Sequence, residues 1–315
     1  MTRSCTRKLA YQRGLTLIEL MISLVISLVV SGVAAGVFIS ARQTARYAEA
    51  LSRYQESLRF AQAAIAEDLR TAAQLGCRTN LSGTAITTHD SLTYSQPLDG
   101  LDAATTASTL GTVAAGKAKT GTDIMRLQFA SRDSVTVTAA TTGSITAATS
   151  ITYAAGDPLV IADCTSADIF AVSTAATSTT ITPTTALSRA YTPRVSEVYR
   201  FLDRAYYINS DNQLMQMTGA SESILTDGIE DLQFSYGQDT DATPDGYPNR
   251  YVGAASVSDW TRVTAVRVCL LVRSKDQNLA SQTSYKNCAL TDTTSTDGRL
   301  RFPVNFTVRI RNRGL

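Results

Sequence analysis

The stretch Arg13-Gly14-Leu15-Thr16-Leu17-Ile18-Glu19-Leu20-Met21, continuing as ISLVISLVVSGVAAGVFISA to Ala41, decides how this chain is built. From Leu15 to Ala41, 27 residues carry one charge, Glu19. A helix needs roughly 20 apolar residues to cross a hydrocarbon core, so this segment is expected to span a membrane. Arg3, Arg7, Lys8 and Arg13 precede it with no acidic residue among them. Basic flanks stay on the cytoplasmic side, which places the rest of the chain across the membrane.

A secretory signal ends its apolar run at a small-residue cleavage site. Here the glycine comes before the run, and cleavage after Gly14 leaves the apolar helix on the protein. An ionised acid at the centre of a membrane helix costs roughly 3 kcal/mol or more, so Glu19 needs a partner or a task. With Leu15 as the new N-terminus, its amine lies about one helical turn from Glu19. The amine of one copy could then neutralise the carboxylate of a neighbour during assembly.

Residues Arg13 to Met21 resemble the class III leader and mature start of type IV pilins and type II secretion pseudopilins. The family usually has Phe after the glycine, where this chain has Leu15. The resemblance implies cleavage between Gly14 and Leu15 by a prepilin peptidase, N-methylation of Leu15, and Glu19 as the assembly carboxylate. The implied partners are the peptidase, other minor pilins, the major pilin, an inner-membrane assembly platform and, before assembly, the lipid bilayer. An uncleaved single-span anchor with a stray Glu is the plain alternative.

Beyond Arg42, Tyr47, Leu51, Tyr54, Leu58, Ala61, Ile65, Leu69 and Ala72 recur every three or four residues, one face of an amphipathic helix. No proline interrupts it. Joined to the membrane segment, this predicts a helix from Thr16 to Leu75, roughly 90 Å long at 1.5 Å per residue, stopped by Gly76. Gly32 and Gly36 form a small-xxx-small pair of the kind found where helices pack closely. The remaining face, with Arg46, Glu49, Arg53, Glu56, Arg59, Glu67, Asp68 and Arg70, reads as solvated surface.

From about residue 80 the pattern changes to short β-rich runs broken by Gly, Asp, Asn, Pro and Thr. Strands are expected at Asp123 to Ala130, Ser134 to Thr138, Pro158 to Ala162, Asp168 to Ser173, Val195 to Leu202, Ala205 to Ile208, Gln213 to Met217, Leu232 to Tyr236, Val263 to Val272 and Pro303 to Ile310. Val266, Val268, Leu270 and Val272 alternate with Arg267, Cys269, Leu271 and Arg273, so one face of that strand should press on the helix. The fold class is α+β and pilin-like, a long N-terminal membrane-spanning helix packed on an antiparallel β-rich head. Thr/Ala/Ser-rich stretches at 102–122, 136–150 and 173–187 read as long loops or polar edge strands. The organisation is a leader at 1–14, the hydrophobic half of the helix at 15–41, its amphipathic half at 42–75 and the head at 76–315.

Composition narrows the chemistry. The chain has 315 residues, 44% hydrophobic and 18% charged, enough to bury a core and unlike a disordered polymer. Its formal charge of +2 gives no global basic field for nucleic acid. His89 is the one histidine, so multi-histidine zinc sites are excluded. In Thr88-His89-Asp90-Ser91 it reads as a surface-loop residue, because adjacency in sequence is not triad geometry. No Gly-x-Ser-x-Gly elbow and no phosphate-binding loop occurs, and neither an enzyme nor a cofactor is indicated.

Cys5 leaves with the leader, and an exported location lets Cys77, Cys164, Cys269 and Cys288 form two disulfides. Three pairings exist, and the favoured one joins Cys77 with Cys164 and Cys269 with Cys288. No CxxC is present, which argues against zinc or redox chemistry. Asp239, Asp241 and Asp245 are candidate oxygen ligands for calcium, set against a solvated turn that Pro244 and Pro248 already explain.

Gly156-Asp157-Pro158-Leu159-Val160-Ile161-Ala162-Asp163-Cys164, followed by Asp168-Ile169-Phe170, resembles PilW-type minor pilins more than major pilins, as does the run Phe306 to Arg313. That resemblance implies a minor pilin that primes type IV pilus assembly, is incorporated near the tip, and supports twitching motility and adhesion. It would sit in the inner membrane with its head in the periplasm, then on the pilus at the cell surface. The alternatives are a J-type minor pseudopilin of type II secretion, and a tip adhesin whose head binds a surface, a glycan or DNA.

Overall fold

The computed structural model describes residues 16–76, 86–94, 96–277, 279 and 283–313. They divide into two compact units, with the boundary between Leu51 and Ser52. One helix, α1 (Leu17–Thr71), runs through 55 residues. Within the first unit its apolar side chains, among them Leu17, Ile18, Val37 and Phe38, are more than half exposed. The helix is long and apolar enough to cross a membrane, and its most apolar stretch buries none of its residues in protein. Such a surface is stable only in lipid or against other helices.

The second unit begins with the amphipathic part of α1. Strands follow as β1 (Ile86–Thr88), β2 (Leu98–Leu101), β3 (Ile124–Ala140), β4 (Ile145–Tyr153), β5 (Pro158–Ala162), β6 (Ala167–Ala171), β7 (Ala176–Ile181), β8 (Glu197–Ile208), β9 (Gln213–Thr218) and β10 (Ser221–Asp227). These ten form one sheet whose main path is β1-β6-β5-β8-β3-β4-β7. Next come β11 (Ile229–Gln238), β12 (Arg250–Val252), β13 (Val263–Arg273), the hairpin β14 (Thr283–Lys286) and β15 (Asp292–Ser295), and β16 (Arg301–Arg309). A second sheet has the order β12-β11-β13-β16. Apart from the parallel β1 and β6, the strand pairs are antiparallel.

Both sheets cover the helix. Ala61, Ile65, Ala66, Leu69 and Ala72 join one buried cluster with Met125 and Leu127 of β3, Tyr206 of β8, Phe234 of β11, and Val266, Val268 and Leu270 of β13. A fully buried aliphatic side chain contributes about 2 kcal/mol, so this seam is the main hydrophobic attachment of the helix. The three- and four-residue spacing of the helix and the alternation of β13 therefore meet as expected. Tyr54 adds a ring contact with Phe302 at 4.9 Å between centroids.

Several expectations need correction. The helix stops at Thr71, not Leu75, because Ala73 turns left-handed at φ 66° and Asn312 donates its side-chain amide to the Ala72 carbonyl at 3.1 Å. A distant side chain thus satisfies an end carbonyl that glycine was expected to release. The two predicted strands at 123–130 and 134–138 are one strand with an irregularity between Ala130 and Ser134, and those at 195–202 and 205–208 are one continuous strand. Of the two forms expected for the Thr-rich stretches, 136–150 and 173–187 take that of strands, with β7 at the sheet edge. Val137, Ile145 and Ile181 point from β3, β4 and β7 into a second core with Leu159, Phe170 and Tyr191.

Candidate functional site

The first turn of α1 holds Glu19. Its backbone N–H donates to the Thr16 hydroxyl at 3.3 Å, and the Thr16 N–H and hydroxyl each approach Glu19 Oε2 at 3.4 Å. This is a reciprocal capping box, Thr-x-x-Glu, in which each residue satisfies a donor of the other at a helix start. The carboxylate also lies at the positive end of the helix dipole, which favours its charge. The spacing Thr16-Leu17-Ile18-Glu19 is itself the sequence signature of that box. Gly14 and Leu15 lie outside the described residues.

Among the described residues sixteen strands and one α-helix make the α+β arrangement. The prokaryotic N-terminal methylation motif matches residues 9–35. The family of type IV pilus-assembly protein W matches residues 175–312, which run from β7 past the end of β16. Over these residues the chain resembles PilW-type minor pilins. No curated protein and no solved structure matches it significantly.

In the head the second half of the helix is held by polar as well as apolar contacts. Asp68, expected on the solvated face, is buried. Arg204 of β8 donates Nη1 to both of its oxygens at 2.9 and 2.8 Å, and the Tyr206 hydroxyl donates to Oδ2. Gln216 Nε2 in turn donates to that hydroxyl at 2.9 Å. Burial and then the Asp68 charge push the Tyr206 hydroxyl far above its ordinary range, so it stays a donor. Nothing in the local helix pattern marks Asp68 apart from Glu67 beside it. Its partners lie about 140 residues away in sequence.

The cysteines divide between described and undescribed residues. Cys269 of β13 is bonded to Cys288, 19 residues on in sequence. Cys164 is also disulfide-bonded, while Cys77, its favoured partner, lies outside the described residues. His89 is not a surface residue. Its side chain is 10% exposed and Nε2 lies 3.4 Å from Asp168, a fully buried carboxylate that also accepts from the Ser188 N–H and hydroxyl. Serine and histidine both address the aspartate and not one another, so the group lacks the relay a nucleophilic serine needs.

Asp239, Asp241 and Asp245 do converge, with ligand atoms all within 4.8 Å of one another. Asp239 is the buried centre of the loop and accepts the backbone N–H groups of Asp241, Asp245 and Gly246. Burial alone would raise its carboxyl, but those three bonds and nearby Arg262 hold it below the usual value. Asn249 donates to Asp241 at 3.2 Å. The residues thus build a self-satisfied turn whose carboxylate oxygens gather together, a donor set of the hard-oxygen kind that calcium takes.

Proposed function

We propose that this minor pilin primes assembly of a type IV pilus and is incorporated near its tip. The observation that carries the reading is Glu19, a lone carboxylate in the first turn of a helix whose flanking apolar surface has no protein cover. Prepilin peptidase removes residues 1–14 and leaves Leu15 as the methylated N-terminus. Basic residues in the leader keep it cytoplasmic, which directs the head to the periplasm. The amine of one subunit then meets the Glu19 carboxylate of the next, an ion pair that replaces the capping bonds from Thr16 and cancels an intramembrane charge. The bare helix buries its apolar surface against neighbouring helices as subunits leave the bilayer. Disulfides suit an exported head.

Glu19→Gln tests this step, since it retains shape and removes charge. The variant should be cleaved normally, should accumulate in the membrane and should fail to enter fibres. Normal incorporation would refute the role of the carboxylate. Deleting the gene in its native host, with surface pili, twitching and secreted proteins scored together, tests the system. Loss of pili with secretion intact is expected, and the reverse would move the protein to type II secretion.

A further inference from the structure

The four-stranded sheet has one face on the helix and one face away from it. Residues in register share a face, so Ser235, Arg267 and Thr307 form one row on the outer side, with Gly237, Ala265 and Arg309 in the next and Tyr251 beside Gly237. At one end of that side Cys269, bonded to Cys288, and Leu271 are buried. Arg267, Thr307 and Arg309, at the other end, are exposed.

These two arginines differ from others in the head. Arg126, Arg132, Arg189, Arg200, Arg204 and Arg301 each pair with a carboxylate. Arg267 instead lies over the Tyr251 ring at 4.3 Å, and Arg309 over Tyr247 at 4.6 Å, with Nη2 donating to the Gly246 carbonyl at 3.2 Å. Neither makes an ion pair among the described residues. An aromatic shelf fixes the guanidinium plane while leaving N–H groups for an external oxyanion, those beyond the Gly246 bond in the case of Arg309, so less ordering entropy is lost on binding.

We propose that this open face binds an acidic polysaccharide, with Arg267 and Arg309 taking sugar carboxylates. Ser235, Asn305 and Thr307 place hydroxyl and amide groups on the same face, where sugar hydroxyls need them. Tyr247, 60% exposed, offers an apolar ring to a sugar face. Nucleic acid fits less well. It carries about one charge per 1.7 Å of duplex, a density that the two guanidiniums of this surface match poorly. The inference goes beyond pilus assembly and uses none of its steps.

The test uses the full chain in non-ionic detergent with three probes, namely polygalacturonate, neutral dextran and a single-stranded oligonucleotide. Saturable binding of polygalacturonate alone is expected, weakened about tenfold or more by Arg267→Gln with Arg309→Gln while the thermal transition is unchanged. The Lys pair should also bind more weakly, since it retains charge and loses the planar fork. If the Gln pair loses its thermal transition, Tyr247→Ala carries the same expectation, because that side chain is largely exposed. Absence of saturable binding, binding unaffected by these variants, or tighter binding of the oligonucleotide would each overturn the proposal. Assembly of the Gln pair into fibres should be normal, which separates a failure here from a failure of the Glu19 mechanism.

Discussion

Removing one charge from the pair between Asp68 and Arg204 should cost far more than removing both. The Asp68 side chain is 8% exposed and that of Arg204 is 21% exposed. Asp68→Asn leaves the guanidinium of Arg204 facing a neutral amide, with Thr218 Oγ1 at 3.1 Å and the Phe129 ring as its remaining neighbours. Arg204→Met leaves the carboxylate with the Tyr206 hydroxyl alone. Each uncompensated buried charge costs about 3 kcal/mol, so each single variant should be destabilised by roughly that amount. The double variant Asp68→Leu with Arg204→Met strands only the Tyr206 hydroxyl, which keeps Gln216 as a partner. Its loss should be nearer 1 kcal/mol, the cost of one unmade hydrogen bond. Urea unfolding of the full chain in detergent can be followed at Trp260, the one tryptophan, whose ring lies 4.7 Å from that of Tyr236 in the shared core. Single variants within about 0.5 kcal/mol of wild type, or a double variant worse than either single, would refute the anchoring argument.

Three further outcomes follow from the head. Cys269→Ser with Cys288→Ser opens a loop of 19 residues in sequence separation, and the chain-entropy model gives a loss of about 3 kcal/mol in urea unfolding; no change in midpoint would show that the staple does not constrain the unfolded chain. Gly100→Ala should lower stability by about 2 kcal/mol or more, because the added methyl would sit 2.0 Å from the hydroxyl of the fully buried Tyr236; an unchanged melting temperature would contradict that packing. Asp123 is pushed up to about 6 chiefly by burial, against N–H bonds from Phe234 and Ala103 and with help from the charges of Asp102 and Asp231. The fold therefore holds its proton more tightly than the unfolded chain, so the contribution is complete below the ordinary value and is lost as pH rises through 6. Going from pH 7 to 5 should stabilise wild type by about 1 kcal/mol relative to Asp123→Asn, and parallel pH profiles of the two would disprove it.

The legible parts of this protein share one physical property, which is that neighbouring residues encode them. A continuous apolar run sets a membrane helix whatever lies elsewhere in the chain. Period-three-and-four spacing from Leu51 to Ala72 marks a face that must be covered, and alternation at Val266 to Val272 marks the strand that covers it. Glu19 stood out for the same reason, as one charge in an apolar segment. Thr16 was equally local, and its capping role was open to view beside Glu19.

Other features depended on partners remote in sequence. Asp68 and Glu67 are adjacent acids on one helix, and only the arrival of Arg204 and Tyr206 makes one a buried anchor while the other faces Arg132 at a half-exposed surface. Asn312 ends a helix more than 200 residues before it. His89 turned inward because β1 runs beside β6 and meets Asp168 there. Thr-rich segments concealed a second core, since sparse Val137, Ile145 and Ile181 suffice once three strands set them on one face. Local sequence thus determined the long apolar helix, the lone carboxylate in its first turn and the strand that packs on it, because hydrophobic periodicity is a property of one segment. Tertiary structure alone decided which charges are buried, where the helix ends and which arginines remain unpaired, because those depend on distances between segments that only folding brings together.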